Sequence, residues 1–357
     1  MPRHVCIVML TALGDAVRVL PVVNALKRHD PATRITWALQ PGPAALVRGH
    51  PAIDEIVLFE RARGWRAFLD YRRAMRGRRF DLVLGLQSYL KAGILTALTP
   101  APVRLGYDRA RAHDFNWLFT NRRIPPRVPG HVQDEFLEFV TALGIPAEPV
   151  EWKLAPTPEE RAQARSMIGG ADGPLVGLVL ASTGPDRCWV TERWAEVAGA
   201  LRAECGARCV LLGATSGYEV ATAQAILAGT TAEPINALGS GLRVLLALLE
   251  ACDIVVAPDT GPLHMAVAME VPVVGLYGYT NPKRAGPYRR FGELLVDAYG
   301  DPGEDYRAAR AYRTGRMARI TAREVIEKVR LGLARYAPAP PWRRAGTANG
   351  QRPTANG

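Results

Sequence analysis

Val255-Val256-Ala257-Pro258-Asp259-Thr260-Gly261-Pro262-Leu263-His264-Met265-Ala266 changes its structural character partway along. The apolar run reads as a buried parallel strand and stops at Pro258. Asp259, Thr260 and Gly261 make a tight turn, and Pro262 opens a helix. Asp or Thr suits the cap of that helix, and Pro suits its first turn, where a missing N–H had no partner anyway. The free backbone N–H groups of the first turn converge on one point beside a carboxylate, a hydroxyl and an imidazole. Such a terminus attracts phosphate or a polyhydroxylated ligand. A well-capped helix with no ligand fits the same residues, and the segment by itself leaves both readings open.

Outward from this junction, strands and helices alternate. In the first half, strands are expected at Val5 to Leu10, Arg34 to Leu39, Ile53 to Phe59, Asp81 to Leu86 and Val103 to Gly106. Helices are expected from Ala16 to about Arg28, through Lys91 and Leu95, and from His131 to Leu143. Residues 146–172 read as a linker with a short helix, after which the plan restarts. Strands at Leu175 to Leu180, Arg208 to Leu212, Ile254 to Ala257 and Val271 to Leu276 alternate with helices at Glu192 to Cys205, Tyr218 to Ala228 and Leu242 to Ala251. A last amphipathic helix runs from Thr321 to Tyr336. This alternation predicts α/β architecture, with parallel sheets covered on both faces. Two doubly wound, Rossmann-like domains are expected over 1–160 and 173–336, facing each other across a cleft. The tail over 337–357, dominated by Pro, Arg, Gly, Thr and Asn, reads as disordered. Ligands in such sheets sit beyond the carboxyl ends of the strands, so the cleft is the expected site.

Composition narrows the class of protein. The chain has 357 residues, 48% hydrophobic and 22% charged, which suits a water-soluble protein of two domains. The net charge is +11, mostly from an arginine excess, part of which lies in Arg61, Arg63, Arg66, Arg72, Arg73, Arg76, Arg78 and Arg79. A basic surface favours a phosphorylated small molecule or an acidic membrane face. Without a Cys/His finger, an RNA-binding-strand motif or a basic-zipper pattern, nucleic acid is not expected. A solvated helix face accounts for part of the arginine excess. Five scattered cysteines suit reduced thiols, and their spacing suggests no zinc site. The apolar run at Val5 to Leu10 is too short for a signal peptide, and no stretch approaches the roughly 18 apolar residues of a bilayer span.

Several residues could carry chemistry. Asp15 follows Gly14 at the first strand end and opens a helix, whose dipole favours a negative charge there. An N-cap role fits it as well. In the turn Ala181-Ser182-Thr183-Gly184-Pro185-Asp186-Arg187, two hydroxyls and a guanidinium precede a helix and could hold a diphosphate. No Walker loop and no Gly-x-Gly-x-x-Gly fingerprint follows any strand, which counts against a dehydrogenase and against a bound cofactor. Lys91, preceded by Gln87 and Ser88, ends another strand. Arg63, Arg66, Arg104 and Arg109 come from the same half and could face an anionic acceptor, although each also reads as a surface arginine. His264 could touch a sugar or phosphate, or simply pack.

These blocks together resemble glycosyltransferase family 9, the lipopolysaccharide heptosyltransferases, from about residue 4 to 336. Leu13-Gly14-Asp15 with Leu20-Pro21, and Phe80-Asp81-Leu82-Val83 through Gln87 and Lys91, are similar to the family's first two blocks. Asp186-Arg187-Cys188-Trp189 with Arg193-Trp194 resembles the block usually written Lys-x-Trp-Pro…Trp, and Asp259 to His264 resembles the most specific motif. Two departures stand out: Arg187 occupies the usual lysine position and Val190 the usual proline. Arg keeps the cation and gains a fork.

The resemblance implies a GT-B fold and an inverting, metal-independent transfer of heptose from ADP-heptose to a lipopolysaccharide core or related lipid-linked saccharide. Asp15 takes the place of the catalytic base. Ser182, Thr183, Arg187, Asp259, Thr260, Gly261 and His264 fall on the donor side, and Glu219 is assigned to the adenosine ribose. Gly14, Arg63, Arg66, Lys91 and Arg109 are assigned to the acceptor. The expected protein is a cytoplasmic monomer, peripheral at the inner face of the membrane, with domain closure excluding water from the reaction. A catalytically silent nucleotide-sugar-binding protein, or a transferase using another donor sugar, is the alternative. Retention of Asp15 argues against the silent form.

Overall fold

A computed structural model describes residues 2–169 and 173–336. The disordered-tail expectation over 337–357 lies outside the described residues. The strands are β1 (His4–Val8), β2 (Arg34–Leu39), β3 (Glu55–Leu58), β4 (Leu82–Gly85), β5 (Val103–Gly106), β6 (Arg122–Arg123), β7 (Leu175–Val179), β8 (Arg208–Leu212), β9 (Ile235–Asn236), β10 (Ile254–Pro258), β11 (Val273–Tyr277) and β12 (Val296–Asp297). The α-helices are α1 (Leu13–His29), α2 (Pro41–Val47), α3 (Arg66–Met75), α4 (Leu90–Leu98), α5 (Val132–Thr141), α6 (Pro158–Ile168), α7 (Thr191–Cys205), α8 (Gly217–Gly229), α9 (Leu242–Ala251), α10 (Gly261–Ala268), α11 (Pro282–Ala285) and α12 (Ala322–Arg335).

The strands form two sheets of six, ordered β3-β2-β1-β4-β5-β6 and β12-β11-β10-β7-β8-β9. All pairings within them are parallel. Counted within each half, both follow the 3-2-1-4-5-6 order of a Rossmann sheet. Strands with helices on both faces must be apolar on both sides, and every residue of β4, β7, β10 and β11 is buried. In this order the chain reverses direction between β1 and β4, and again between β7 and β10. A crevice opens beyond the carboxyl ends of the strands at such a switch point.

The chain divides into two compact units. The first is Met1–Leu154 together with Asn281–Tyr288 and Asp305–Ala311, so two late segments return to the early sheet. The second comprises Ala155–Thr280, Arg289–Glu304 and the described part of Tyr312–Gly357. A linear division at residues 160 and 173 places the two returning segments with the second domain. Polar bonds hold them to the first unit instead. His131 Nε2 lies 3.0 Å from the Gly286 carbonyl, and Tyr288 donates to Asp134 at 2.5 Å. Within the linker region, α6 is opened by a reciprocal cap between Thr157 and Glu160.

Candidate functional site

In the first unit the switch point is stitched by Gln87. Its Oε1 accepts from Leu10 N at 3.1 Å and its Nε2 donates to Thr11 Oγ1 at 3.1 Å, which ties the end of β1 to the end of β4. Helix α1 begins at Leu13, three residues before the expected start, so Asp15 lies inside its first turn rather than at the cap. Asp15 Oδ2 accepts from Ala12 N at 3.3 Å, and Oδ1 accepts from Arg18 Nη1 at 3.2 Å. The Asp15 side chain keeps 34% of its surface open to solvent. Arg18 is fixed from its other side by donating to Ala285 O at 3.0 Å, a contact supplied by the returning segment. Arg18 was not singled out in the sequence; its i,i+3 spacing from Asp15 was the available signal. Gly14 is buried beneath this turn.

Beside the same strand ends lies a cavity of about 430 Å³, lined among others by Thr11, Gln40, Arg61, Gln87, Tyr89 and Lys91. Tyr89 stacks on His113 with centroids 5.5 Å apart, and the Arg310 guanidinium lies 5.0 Å from the Tyr89 ring. Lys91 therefore reaches the pocket, and Arg61 joins it. Arg63, Arg66 and Arg109 are not among its lining residues. Arg63 pairs with Asp70 at 3.2 Å, Arg66 lies 5.9 Å from the Trp65 ring, and Arg109 stacks 4.0 Å over Trp117. Each has a local partner that draws it away from a common focus.

The second unit repeats the device with other residues. Ser182 Oγ donates to the Asp259 carbonyl at 2.6 Å and so ties the end of β7 to the end of β10. Asp259 Oδ1 lies 3.2 Å from His264 Nε2, with both side chains largely buried. Thr260 occupies the N-cap position of α10, and its hydroxyl makes no cap bond there. Of the two residues expected to suit the cap, Thr260 makes no such bond: its backbone is extended, and α10 opens at the next residue, Gly261. Thr183 is exposed on the neighbouring loop, which turns at Gly184 with φ +94°.

Arg187 ends the short 3-10 turn Pro185–Arg187. Its guanidinium lies 5.5 Å from the Tyr279 ring and 5.7 Å from the Tyr312 ring, and these two rings stack at 5.1 Å. A planar cation suits such a platform better than an ammonium does. Neither tyrosine was singled out in the sequence, because their separation along the chain hides the contact. Val190, at the position where proline is usual, has φ −64°, the angle a proline ring imposes. The buried pair Trp189 and Trp194 meets edge to face at 4.8 Å, and Trp189 Nε1 donates to Ile320 O at 3.0 Å. The loop carrying Arg187 is thereby anchored to the C-terminal segment.

Glu219, assigned to the ribose, is also bonded within its own loop. It sits at the third position of α8 in a capping box with Ser216. Its Oε1 accepts from Ala214 N at 2.8 Å, and its Oε2 accepts from Ser216 N at 3.1 Å and Ser216 Oγ at 2.6 Å. Both oxygens are engaged by its own loop. The Ser-x-x-Glu spacing was the signal for this role.

The family model of glycosyltransferase family 9 (heptosyltransferase) matches residues 68–299. The chain is 29% identical over 295 residues to a lipopolysaccharide core heptosyltransferase, OpsX, of Haemophilus influenzae, covering 82% of this chain and 84% of that protein. Among solved structures, a family 9 glycosyl transferase from Veillonella parvula superposes with a TM-score of 0.79 at 21% identity, over 94% of this chain and 98% of that one. The heptosyltransferase WaaC of E. coli, solved with ADP-2-deoxy-2-fluoro heptose, gives a TM-score of 0.72 at 21% identity, over 92% and 99%. The shared fold is GT-B. With two doubly wound sheets, functional blocks at both switch points and a family match over most of its length, the chain belongs to glycosyltransferase family 9.

Proposed function

We propose that this glycosyltransferase moves a heptose from ADP-heptose to a lipopolysaccharide core or a related lipid-linked saccharide, with inversion at the anomeric carbon. The observation that carries the reading is the division of chemistry between the two switch points. A half-open carboxylate, Asp15, stands at one, and hydroxyls, a guanidinium and the N-terminus of α10 stand at the other. The relatives' names supply the sugar and the acceptor class.

On this reading Asp15 accepts the proton of the acceptor hydroxyl, and Arg18 and the Ala12 N–H hold its carboxylate in place. The leaving ADP gains negative charge on its diphosphate, which Arg187, Ser182, Thr183 and the first turn of α10 stabilise. Asp259, held against His264, meets sugar hydroxyls as an acceptor. The cavity beside Lys91 and Arg61 receives the anionic acceptor in the first unit. Because the diphosphate is met by a guanidinium and backbone N–H groups, the reaction needs no divalent cation. The enzyme acts as a monomer at the cytoplasmic face of the inner membrane and binds it peripherally; no helix of the described residues is long and apolar enough to cross a membrane.

The test is to incubate the protein with ADP-heptose and a lipopolysaccharide acceptor lacking outer-core sugars, in excess EDTA. ADP release with an added heptose of inverted anomeric configuration by NMR is expected. Absence of transfer, with or without Mg²⁺, overturns the reading. Transfer only when Mg²⁺ is restored overturns the metal-independent chemistry.

A further inference from the structure

The connection between β5 and β6 carries a turn that the chemistry above does not use. Its 3-10 segment, Asn116–Phe119, is pinned from one side. Asn116 Nδ2 donates to Tyr89 O at 2.8 Å, and Phe119 packs so closely on α4 that a Cβ at Gly93 would meet its ring at 2.6 Å. The opposite side shows Phe115 68% exposed and Leu118 60% exposed. Phe115 also has φ +56°, a left-handed backbone that a bulky residue rarely adopts. The fold thus holds an aromatic side chain in an unfavourable conformation while leaving it in water. Single exposed apolar residues are ordinary; a pinned pair on one turn, bordered by cations, marks a contact surface.

The border is basic. Trp117, between the two apolar tips, lies 4.0 Å below the Arg109 guanidinium and 5.6 Å from that of Arg123, which also donates to Trp117 O at 3.0 Å. Arg122 is exposed on the same connection, and Asp114 is the acidic residue beside Phe115. Apolar tips, an amphipathic indole and arginines with solvent-facing heads match the layers of a bilayer surface: acyl boundary, interface and anionic headgroups.

We propose that the Phe115–Leu118 turn inserts into the surface of an anionic bilayer, with Arg109 and Arg123 at its headgroups. This rests on the reading of peripheral membrane work and adds to it the inserting element. Arginines alone give attachment that salt removes, whereas buried apolar side chains give a component that salt does not screen. The two contributions are therefore separable.

The experiment measures co-flotation of the full chain with vesicles of phosphatidylglycerol and phosphatidylcholine across a salt series. The parent is expected to bind at low salt and to retain binding at high salt. Phe115→Ser with Leu118→Ser should lower the high-salt partition by about tenfold or more, and Phe115→Trp with Leu118 kept should retain it. Circular dichroism melting checks that the double variant is folded. Transfer to a delipidated, water-soluble acceptor is measured alongside; it should be unchanged in the double variant, and its failure in the parent would sink the transferase reading without touching the vesicle result. A folded double variant that binds as the parent does overturns the proposal. So does a parent that fails to bind at low salt, or a patch whose removal instead converts a dimer to a monomer by light scattering.

Discussion

Asp15 uses both oxygens locally yet keeps a third of its surface, so removing it should affect chemistry far more than folding. Asp15→Ala should lower turnover by roughly 10²–10⁴, the range for loss of a general base, and leave ADP affinity as it was. Asp15→Asn keeps the side chain's size and one acceptor oxygen, for Arg18 or the Ala12 N–H but not both, and should be equally slow. Steady-state turnover and an ADP titration by calorimetry check both; full activity in either variant removes Asp15 from the role. Arg187 poses the opposite question, since its charge and its shape can be removed separately. Arg187→Ala should weaken ADP binding and slow transfer, while Arg187→Lys should recover part of both. The ammonium keeps the charge but loses the flat face against Tyr279 and Tyr312 and the fork for two phosphate oxygens. Each exposed cation–aromatic contact contributes about 0.5–1 kcal/mol, so Arg187→Lys should cost less in a Tyr312→Leu background than in the parent. ADP bound as tightly by Arg187→Ala as by the parent would make this arginine a surface residue.

Among the elements, the strand ends and the opening of α10 were legible, because an apolar run, a stop and a Pro at the first helical turn each have a local cause. The start of α1 at Leu13 was not, since Leu13 and Gly14 carry no cap signal and Ala12 stands at the N-cap. The two-residue strands β6, β9 and β12 are too short to show any period. Glu219, assigned to the ribose, also closes a capping box with Ser216, and which role matters more can be checked. Glu219→Ala should cost about 0.5–2 kcal/mol of stability, the usual range for a lost cap, with ADP affinity little changed. A tenfold loss of ADP affinity at unchanged stability would return the ribose to Glu219. Gly278, just beyond β11, has a different constraint: a Cβ there would lie 2.5 Å from Met317 N and 2.6 Å from Arg316 C. Those are backbone atoms of the segment that anchors Trp189, and backbone cannot swing aside as a side chain can. Gly278→Ala should therefore destabilise by about 1–3 kcal/mol and weaken ADP binding through the Tyr279 platform. A denaturant midpoint equal to the parent's would show that the segment yields without cost.

At the scale of the molecule, the doubling of one plan was legible because each half carries its own alternation of strand and helix. The return of Asn281–Tyr288 and Asp305–Ala311 to the first unit was not, because it rests on individual polar contacts such as that of His131 Nε2 with Gly286 O at 3.0 Å. No periodicity encodes those, and through Ala285 and Arg310 they bring late residues to Arg18 and Tyr89. Charge is the other whole-molecule property. Of the arginines between 61 and 79, Arg78 bonds Glu55, and Arg63 and Arg73 share Asp70, while Arg72, Arg76 and Arg79 are exposed. Asp70 offsets one charge, and the rest of the α3 surface remains strongly basic. Each basic residue close to an anionic leaflet contributes about 1 kcal/mol, so several together suffice for reversible attachment. Arg72, Arg73, Arg76 and Arg79 all changed to Gln, with Arg78 kept for its bond to Glu55, should lower vesicle binding severalfold at low salt. The difference should vanish as salt shortens the Debye length below about 8 Å. ADP affinity, which the proposed function assigns to the second unit, should not move. Low-salt binding that survives all four substitutions would make this segment a solvated helix face with no part in reaching the membrane.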